Sequence, residues 1–446
     1  MRSGRIFVAL LILFGLAGAL VTGAEIYSRL LALGILLAAI SAAWTWLVSR
    51  SLNVQRQTRS LRGNVGDILE EHFEIKNGSG LLNLWIEILN KSPLPGAGGS
   101  RLLTLVGGRQ KRTYTARTWL TRRGAFPLGP TILTSGDPFG LFRLQRSFPA
   151  RSSLIVLPMI FHITSFLSPP GLLPGGQVIR RKATDVTPHA AGVREYVPGD
   201  PMKRIHWPTT VRRGQLMVKE FEQDPQAEVW LFLDAQESVH SQKPFKEHEQ
   251  KADAFLFKVD ALLLGRRPQF HLPPSTLEYA VSISASLAHY FLSQRRAVGL
   301  VTSGRAYTMI PAERSERQES KILETLAFVE AEGSLSLAGL VGAQARQLPQ
   351  GSSAILVTPS VSSELLLAVD DLQRRSLRPV VVLLVAETFG GPPGAKRLIG
   401  SLSERNVPVC PIYCDADLGQ TLSSFVPATN LQETHVWRRP PLSHLI

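Results

Sequence analysis

Two apolar runs near the N-terminus, Ile6 to Val21 and Leu30 to Val48, restrict what the first fifty residues can become. Neither run contains a charge. The second has the length at which an α-helix crosses the hydrocarbon core of a bilayer, and the first is slightly short of it. Between them the polar break Thr22 to Arg29 holds one Glu and one Arg, whereas Arg2 and Arg5 precede the first run and Arg50, Arg56, Arg59 and Arg62 follow the second. By the positive-inside rule, both ends of a helical hairpin then lie in the cytoplasm. Trp44 and Trp46 fall at the end of the second run, where an aromatic interface belt belongs. A signal peptide cleaved near Ala24 is the competing reading, but the second run with its basic flank would still stop transfer and leave the bulk of the chain on the same side. The expected location is the bacterial cell membrane, multi-pass through two helices, with the soluble domains cytoplasmic.

The formal net charge of +14 raises the question of nucleic acid. Its distribution points elsewhere. Arg50 to Arg151 carries 16 Lys and Arg against 6 Asp and Glu, and Val178 to Lys219 carries 9 against 3, while the chain from Glu220 onward is slightly acidic. Positive charge therefore crowds the part that follows the membrane segment, where an anionic leaflet attracts it. The anionic membrane surface is the expected electrostatic partner, and a basic nucleic-acid-binding protein is the lesser alternative. Two cysteines, Cys410 and Cys414, cannot build a disulfide framework or a four-thiolate zinc site, and read as small apolar residues of a buried strand.

A chain of 446 residues with 44% hydrophobic content fills more than one core. From Val54 to Pro149 the pattern is of strands: Leu81 to Leu89, Arg101 to Val106 and Arg112 to Leu120, separated by turn signals such as Lys76-Asn77-Gly78 and Gly136-Asp137-Pro138. A small antiparallel sandwich or barrel fits that spacing. Ser168 to Gly176, rich in Pro and Gly, reads as a linker. Afterwards strands alternate with helices. Strands are expected at Ala227 to Asp234, Ala297 to Thr302, Ala354 to Thr358, Pro379 to Val385 and Val407 to Tyr413. Helices are expected at Leu277 to Gln294, Ser320 to Val329, Ser363 to Arg374 and Leu398 to Arg405. That alternation implies a parallel, doubly wound sheet with its site at the C-terminal ends of the strands.

The densest constellation of polar and aromatic residues is Arg194-Glu195-Tyr196-Val197-Pro198-Gly199-Asp200, followed by Arg204-Ile205-His206-Trp207 and Arg212-Arg213-Gly214-Gln215-Leu216. Pro198-Gly199 suits the central positions of a type II turn, which would present Asp200 at a fixed angle. Arg194, Arg204 and Arg212 can pair with Glu195, Asp200, Glu220 or Glu222, and Tyr196 and Trp207 offer flat surfaces for packing or for guanidinium stacking. Two readings stand: an internal ion-pair network, or a partner- or anion-binding site made of Arg194, Tyr196, Asp200, Arg204, His206, Trp207 and Arg212.

These blocks resemble the signature of the DUF 58 family (domain of unknown function 58), in which R-x-Y-x-x-G-D, R-x-I-D/H-W and an Arg-rich turn precede a von Willebrand A-like domain. The upstream Asp137-Pro138-Phe139-Gly140-Leu141-Phe142 matches the family's D-P-F-G-L-F block. His206 stands where many members carry Asp. The resemblance implies a multi-domain fold: a transmembrane helical hairpin at residues 1–50, a small β-sandwich-like module at 51–150, a linker with the signature segment at 151–225, and an α/β doubly wound von Willebrand A-like domain at 226–446. It also implies a MoxR-type AAA+ ATPase as partner. Metal-binding von Willebrand A domains carry D-x-S-x-S after the first strand and a further Asp after a later one. Here Asp234 and Ser238 are in place, Gln236 replaces the first Ser, and Thr358-Pro359-Ser360 offers no carboxylate. No metal and no cofactor are therefore expected, and Asp234 is expected to cap the segment after its strand. Ala252 to Arg267 has the spacing of an amphipathic helix. Neither a nucleophile elbow, nor H-E-x-x-H, nor a P-loop is found, so no catalytic residue is assigned. The expected function is that of a membrane-anchored cytoplasmic scaffold or adaptor; a hydrolase or metal-dependent enzyme of unrecognised type is the alternative.

Overall fold

A computed structural model describes the chain apart from residues 1, 98, 168–189, 198–201, 203–204, 222–227, 245–269 and 426–446, and gives the backbone alone at 2–3, 99–100, 190–192, 194 and 219–221. The chain forms two compact units, one of Met1–Ile160, Lys243–Pro274 and Leu323–Val329, the other of Phe161–Gln242, Ser275–Ile322 and Glu330–Ile446. The expected linker at 168–176 and the expected amphipathic helix at 252–267 lie outside the described residues.

The first unit opens with helices α1 (Arg2–Thr22) and α2 (Glu25–Ser51), both long and apolar enough to cross a membrane. The second begins five residues earlier than the apolar run, because Glu25 and Arg29 pair at i,i+4 (2.8 Å) and extend the helix through the polar break. Small residues let the helices approach: a Cβ at Gly15 would stand 2.7 Å from the Leu31 nitrogen. Phe7, Leu13, Leu20, Leu36 and Ile40 point outward and are more than half exposed, a surface that water does not suit.

Ten strands follow: β1 (Leu52–Thr58), β2 (Arg62–Asn64), β3 (Ile68–Asn77), β4 (Asn83–Asn90), β5 (Gly99–Val106), β6 (Lys111–Trp119), β7 (Gly124–Pro127), β8 (Thr131–Gly136), β9 (Arg143–Phe148) and β10 (Ser153–Leu157). They form sheets of order β1-β3-β6, β5-β4-β8-β9 and β2-β10-β7. The first two are antiparallel and share one core, in which Leu52, Phe73 and Ile75 meet Ile86, Ile88, Val106 and Leu133. Along β3 burial alternates with period two, and two polar residues, Glu71 and Asn77, fall on its inward face. Each finds a hydrogen-bond partner, Glu71 through one of its two oxygens. Arg56 Nε donates to Glu71 Oε1 at 2.8 Å, and burial nonetheless pushes the Glu71 carboxyl above its usual range, Arg56 opposing the shift.

Asn77 is the hub that joins sandwich and hairpin. Its amide nitrogen donates to the carbonyls of Leu81 (2.9 Å), Gly107 (3.1 Å) and Val106 (3.3 Å), and its oxygen accepts from the Ser51 hydroxyl at the end of α2 (3.4 Å). Arg146 Nη1 donates to the carbonyls of Arg50 and Leu52, each at 2.7 Å, where the ladder of α2 leaves oxygens unsatisfied.

In the second unit β11 (Ala190–Glu195), α3 (Trp207–Arg213) and β12 (Met217–Phe221) precede an α/β array. The array comprises β13 (Val229–Leu233), α4 (Thr276–Ser293), β14 (Val298–Ser303), β15 (Tyr307–Glu313), the first half of α5 (Glu316–Phe328), whose residues from Leu323 on count with the first unit, α6 (Leu337–Gln344), β16 (Ser353–Thr358), α7 (Glu364–Arg374), β17 (Arg378–Leu384), α8 (Ala395–Glu404), β18 (Val409–Ile412) and α9 (Leu418–Ser423). The sheet order is β15-β14-β13-β16-β17-β18, parallel except for the edge strand β15. Every residue of β13 and β16 is buried, as strands covered on both faces require. Leu365, Ala368, Val369 and Leu372 of α7 pack with α6 and α8 on Trp230, Phe232, Leu356 and Val381; α4 lies against β13, β14, β16 and β17 on the opposite face. Cys410 is buried in β18 and its thiol is pushed up to about 12 by burial, so it behaves as a small apolar residue.

Candidate functional site

The neighbouring strands β13 and β16 send their chains to opposite faces, β13 to α4 and β16 to α7, so a crevice opens at their C-terminal ends. A cleft of about 250 Å³ occupies it, lined by Gln236, Ser238, Ser336, Ser360, Ser362 and Glu364 among others. Asp234, the first residue after β13, is 1% exposed. Its Oδ2 accepts from the Thr358 hydroxyl (2.6 Å) and its Oδ1 from the Gln236 nitrogen (3.1 Å). Burial pushes the Asp234 carboxyl above the usual carboxylate range, against the pull of those two hydrogen bonds. Asp234 thus holds the segment after its strand. His240 braces the same turn, with Nε2 3.0 Å from the Asp234 carbonyl and Nδ1 3.0 Å from the Thr276 hydroxyl.

Four hydroxyls of this region serve the loops as well. Thr358 Oγ1 accepts from the Ser360 nitrogen (2.9 Å), Ser360 Oγ from the Ser362 nitrogen (3.3 Å), Ser362 Oγ from the Glu364 nitrogen (3.2 Å), and Ser336 Oγ from the Gly339 nitrogen as the N-cap of α6 (3.3 Å). A hard divalent cation needs converging carboxylate oxygens. Both oxygens of Asp234 are engaged and buried, Glu364 is the carboxylate among the residues lining the cleft, and the described residues contain no group of three His, Cys, Asp or Glu. That donor set does not fit a resident cation.

Most of the side chains that an ion-pair network would use lie outside the described residues, and the described part of the signature segment shows a main-chain framework. β11 and β12 pair antiparallel from Ala190↔Phe221 to Glu195↔Met217, with a bulge between Ala190 and Gly192. Backbone bonds then pin the returning chain: the Tyr196 nitrogen donates to the Leu216 carbonyl (2.8 Å), and the His206 nitrogen to the Met217 carbonyl (2.7 Å). Ile205, Met217 and Val218 are buried beneath it. His206 is half-buried, with Nδ1 2.7 Å from the Thr209 hydroxyl. Helix α3 ends at Gly214, whose φ of 69° is the left-handed cap that glycine accepts. No residue of α3 is buried. Trp207 is 61% and Val211 80% exposed, one turn apart, and Arg212 and Arg213 are exposed in the last turn. Of the seven sequence-derived candidates, the structure brings together Tyr196, His206, Trp207 and Arg212. The side chain of Arg194 and all of Asp200 and Arg204 lie outside the described residues, as does the Pro198-Gly199 turn. Val211, absent from the candidates, was legible as the i+4 neighbour of Trp207.

Comparison with known proteins places this segment. Residues 192–263 match the family described as "Protein of unknown function DUF58". That stretch contains Arg194 through Leu216 but not the Asp137 to Phe142 block. The chain is similar to the Bacillus subtilis (strain 168) "Uncharacterized protein YeaD", 26% identical over 249 residues, which cover 54% of this chain and 51% of the relative. It thus spans about half the length of the curated relative it matches. Among solved structures, a CARDB domain from Pyrococcus furiosus aligns over 24% of this chain and 91% of its own at 15% identity and a TM-score of 0.18. A Listeria innocua beta-glucosidase aligns over 24% of this chain and 16% of its own at 13% identity and a TM-score of 0.15. Scores that low carry no argument.

Proposed function

We propose that this chain is a membrane-anchored, cytoplasmic scaffold of the DUF58 family, and that its signature segment is a docking face for a protein partner. In this reading the hairpin spans the bilayer, the α/β array is von Willebrand A-like, and the partner is a MoxR-type AAA+ ATPase. The observation that carries it is the exposed Trp207–Val211 pair on α3, beside the cationic last turn Arg212-Arg213. Tryptophan and arginine are the residues on which binding energy concentrates when a partner desolvates them. Backbone hydrogen bonds on both sides of α3 hold the pair in place, so little ordering entropy is lost on binding. In the strand-end cleft the hydroxyls of Ser336, Ser360 and Ser362 each accept from a backbone nitrogen of their own loop, which favours a binding protein over an enzyme.

The test is co-purification from solubilised membranes with the MoxR-type ATPase of the same cell, followed by titration of the purified pair. Trp207→Ala should weaken binding by about 2 kcal/mol or more, roughly thirtyfold, at an unchanged melting temperature. Repeated recovery without the ATPase, or full binding by a Trp207→Ala/Val211→Ala variant, overturns the proposal.

A further inference from the structure

The sandwich turns one end toward the hairpin. Asn77 ties the loop at Leu81 and the end of β5 to Ser51, while Arg146 clamps the last carbonyls of α2. The antiparallel register puts Asn83, Val106, Gly136 and Arg143 at that same end. The connection from β8 to β9 is folded around Asp137, fully buried, whose carboxylate accepts from the backbone nitrogens of Phe142 (2.6 Å), Phe139 (2.9 Å) and Leu141 (3.2 Å). Gly140 takes a φ of 70° within this loop. The Nε of Arg5, on the second turn of α1, donates to the Leu141 carbonyl, so the loop lies against the start of the first apolar helix.

The same end exposes large apolar side chains: Leu82 (40%), Leu105 (58%), Phe139 (61%) and Phe142 (38%). Arg109 and Arg143 are exposed among them. In water, rigid loops gain nothing by presenting two phenylalanines and two leucines. Next to two helices whose outward surface is itself apolar, those side chains continue the hairpin's surface. We infer that this end of the sandwich is seated in the headgroup layer of an anionic leaflet. Phe139, Phe142, Leu82 and Leu105 enter the acyl boundary and Arg109 and Arg143 meet lipid phosphates. Apolar tips interleaved with arginines are the pattern by which protein surfaces bind an anionic interface. The Asp137 cage serves that purpose, since it spends a buried carboxylate on holding the Phe139 and Phe142 nitrogens and so fixes the loop that carries both rings. This inference rests on the membrane-spanning reading of the hairpin.

The test uses the full chain with Cys410→Ala and Cys414→Ser, reconstituted in nanodiscs of phosphatidylcholine and phosphatidylglycerol in equal parts. An environment-sensitive fluorophore is attached at a single new cysteine: Phe139→Cys or Leu105→Cys at the proposed interface, Lys91→Cys at the opposite end of the sandwich, or Ile35→Cys in α2. Nitroxide lipids then quench from a shallow or a deep acyl position. Expected are loss of fluorescence with the shallow quencher at 139 and 105, with the deep quencher at 35, and no loss at 91. Arg109→Ser/Arg143→Ser, or discs of phosphatidylcholine alone, should reduce the loss at 139 and 105 and leave 35 unchanged. Quenching at 35 without quenching at 139 and 105 overturns the inference while the hairpin stands, and makes a protein the better occupant. Absence of quenching at 35 brings down the hairpin reading and this one with it. Equal quenching in anionic and neutral discs overturns the assignment of the arginines to phosphate.

Discussion

Asp234 offers the sharpest test of what the strand-end cleft is for. Asp234→Ala removes the acceptor for the Thr358 hydroxyl and the Gln236 nitrogen, which lie at or just past the C-terminal ends of the central strands. Two stranded donors cost about 1 to 3 kcal/mol each, partly offset by removal of a desolvated charge, so the net loss is about 2 to 4 kcal/mol. Asp234→Asn behaves differently: its oxygen accepts from Gln236, and the Thr358 hydroxyl reverses to accept from the new amide. The charge disappears at nearly constant shape. The folded carboxyl titrates above its ordinary value of 3.8 because it is buried. A group raised on folding contributes stability that is fully present below the unfolded value and is lost as pH rises through the folded one. Relative to wild type, Asp234→Asn should therefore gain stability as pH rises above about 3.8, by about 1.4 kcal/mol for each unit by which the folded carboxyl is raised, and level off beyond it. Thermal melts of the full chain in nanodiscs across a pH series read this out, with tryptophan fluorescence as the signal, since the Trp230 ring is buried in β13. A gap of opposite sign that widens with pH would falsify the reading of Asp234 as an internal cap. So would a gain of about 2.7 kcal/mol from Mg²⁺ at a hundredfold excess over its Kd, if Asp234→Asn abolished it.

Two further outcomes are expected. Arg56→Ala leaves the Glu71 carboxylate, 1% exposed, without its cation inside the sandwich and should destabilise the first unit by about 3 to 5 kcal/mol in chemical denaturation, whereas a loss below about 1 kcal/mol would mean that the pair behaves as a surface ion pair. A C-terminal alkaline phosphatase fusion should be inactive and a fluorescent-protein fusion bright; the reverse pattern puts the soluble chain on the other side of the membrane.

The α/β array was largely legible because its core strands are short apolar runs and α4 and α7 carry apolar residues at helical spacing. Three elements escaped, among them the six-residue α9. β15 is a half-exposed edge strand with a single buried residue, Ile310, so its pattern gives little hydrophobic signal. α6 is eight residues long with two glycines, and packing of Leu337, Leu340 and Val341 on the sheet holds it where propensity would not. At the cleft, Asp234 was readable as a cap and the absent carboxylate at Thr358-Pro359-Ser360 was plain. That Thr358 itself donates to Asp234 was not, since the two stand 124 positions apart and meet only when β13 and β16 pair. At the signature segment the sequence drew attention to side chains, whereas the pairing of β11 with β12 and the main-chain bonds at Tyr196 and His206 leave no side-chain pattern from which they could be read. The Asp137 block was noticed as a motif, and its purpose appeared only once the carboxylate was seen to gather three backbone nitrogens.

The junction between α2 and β1 has a mechanical corollary. The helix ends at Ser51 and the strand begins at Leu52, with no intervening residue, and Arg146 and Asn77 bolt the joint from two sides. A flexible linker would let the sandwich sweep a volume that grows with the linker's length. A splice of zero length gives no such reach. In the membrane-anchored reading the first unit is a bracket: any change in the tilt of α2 is handed undiminished to the sandwich as a rotation.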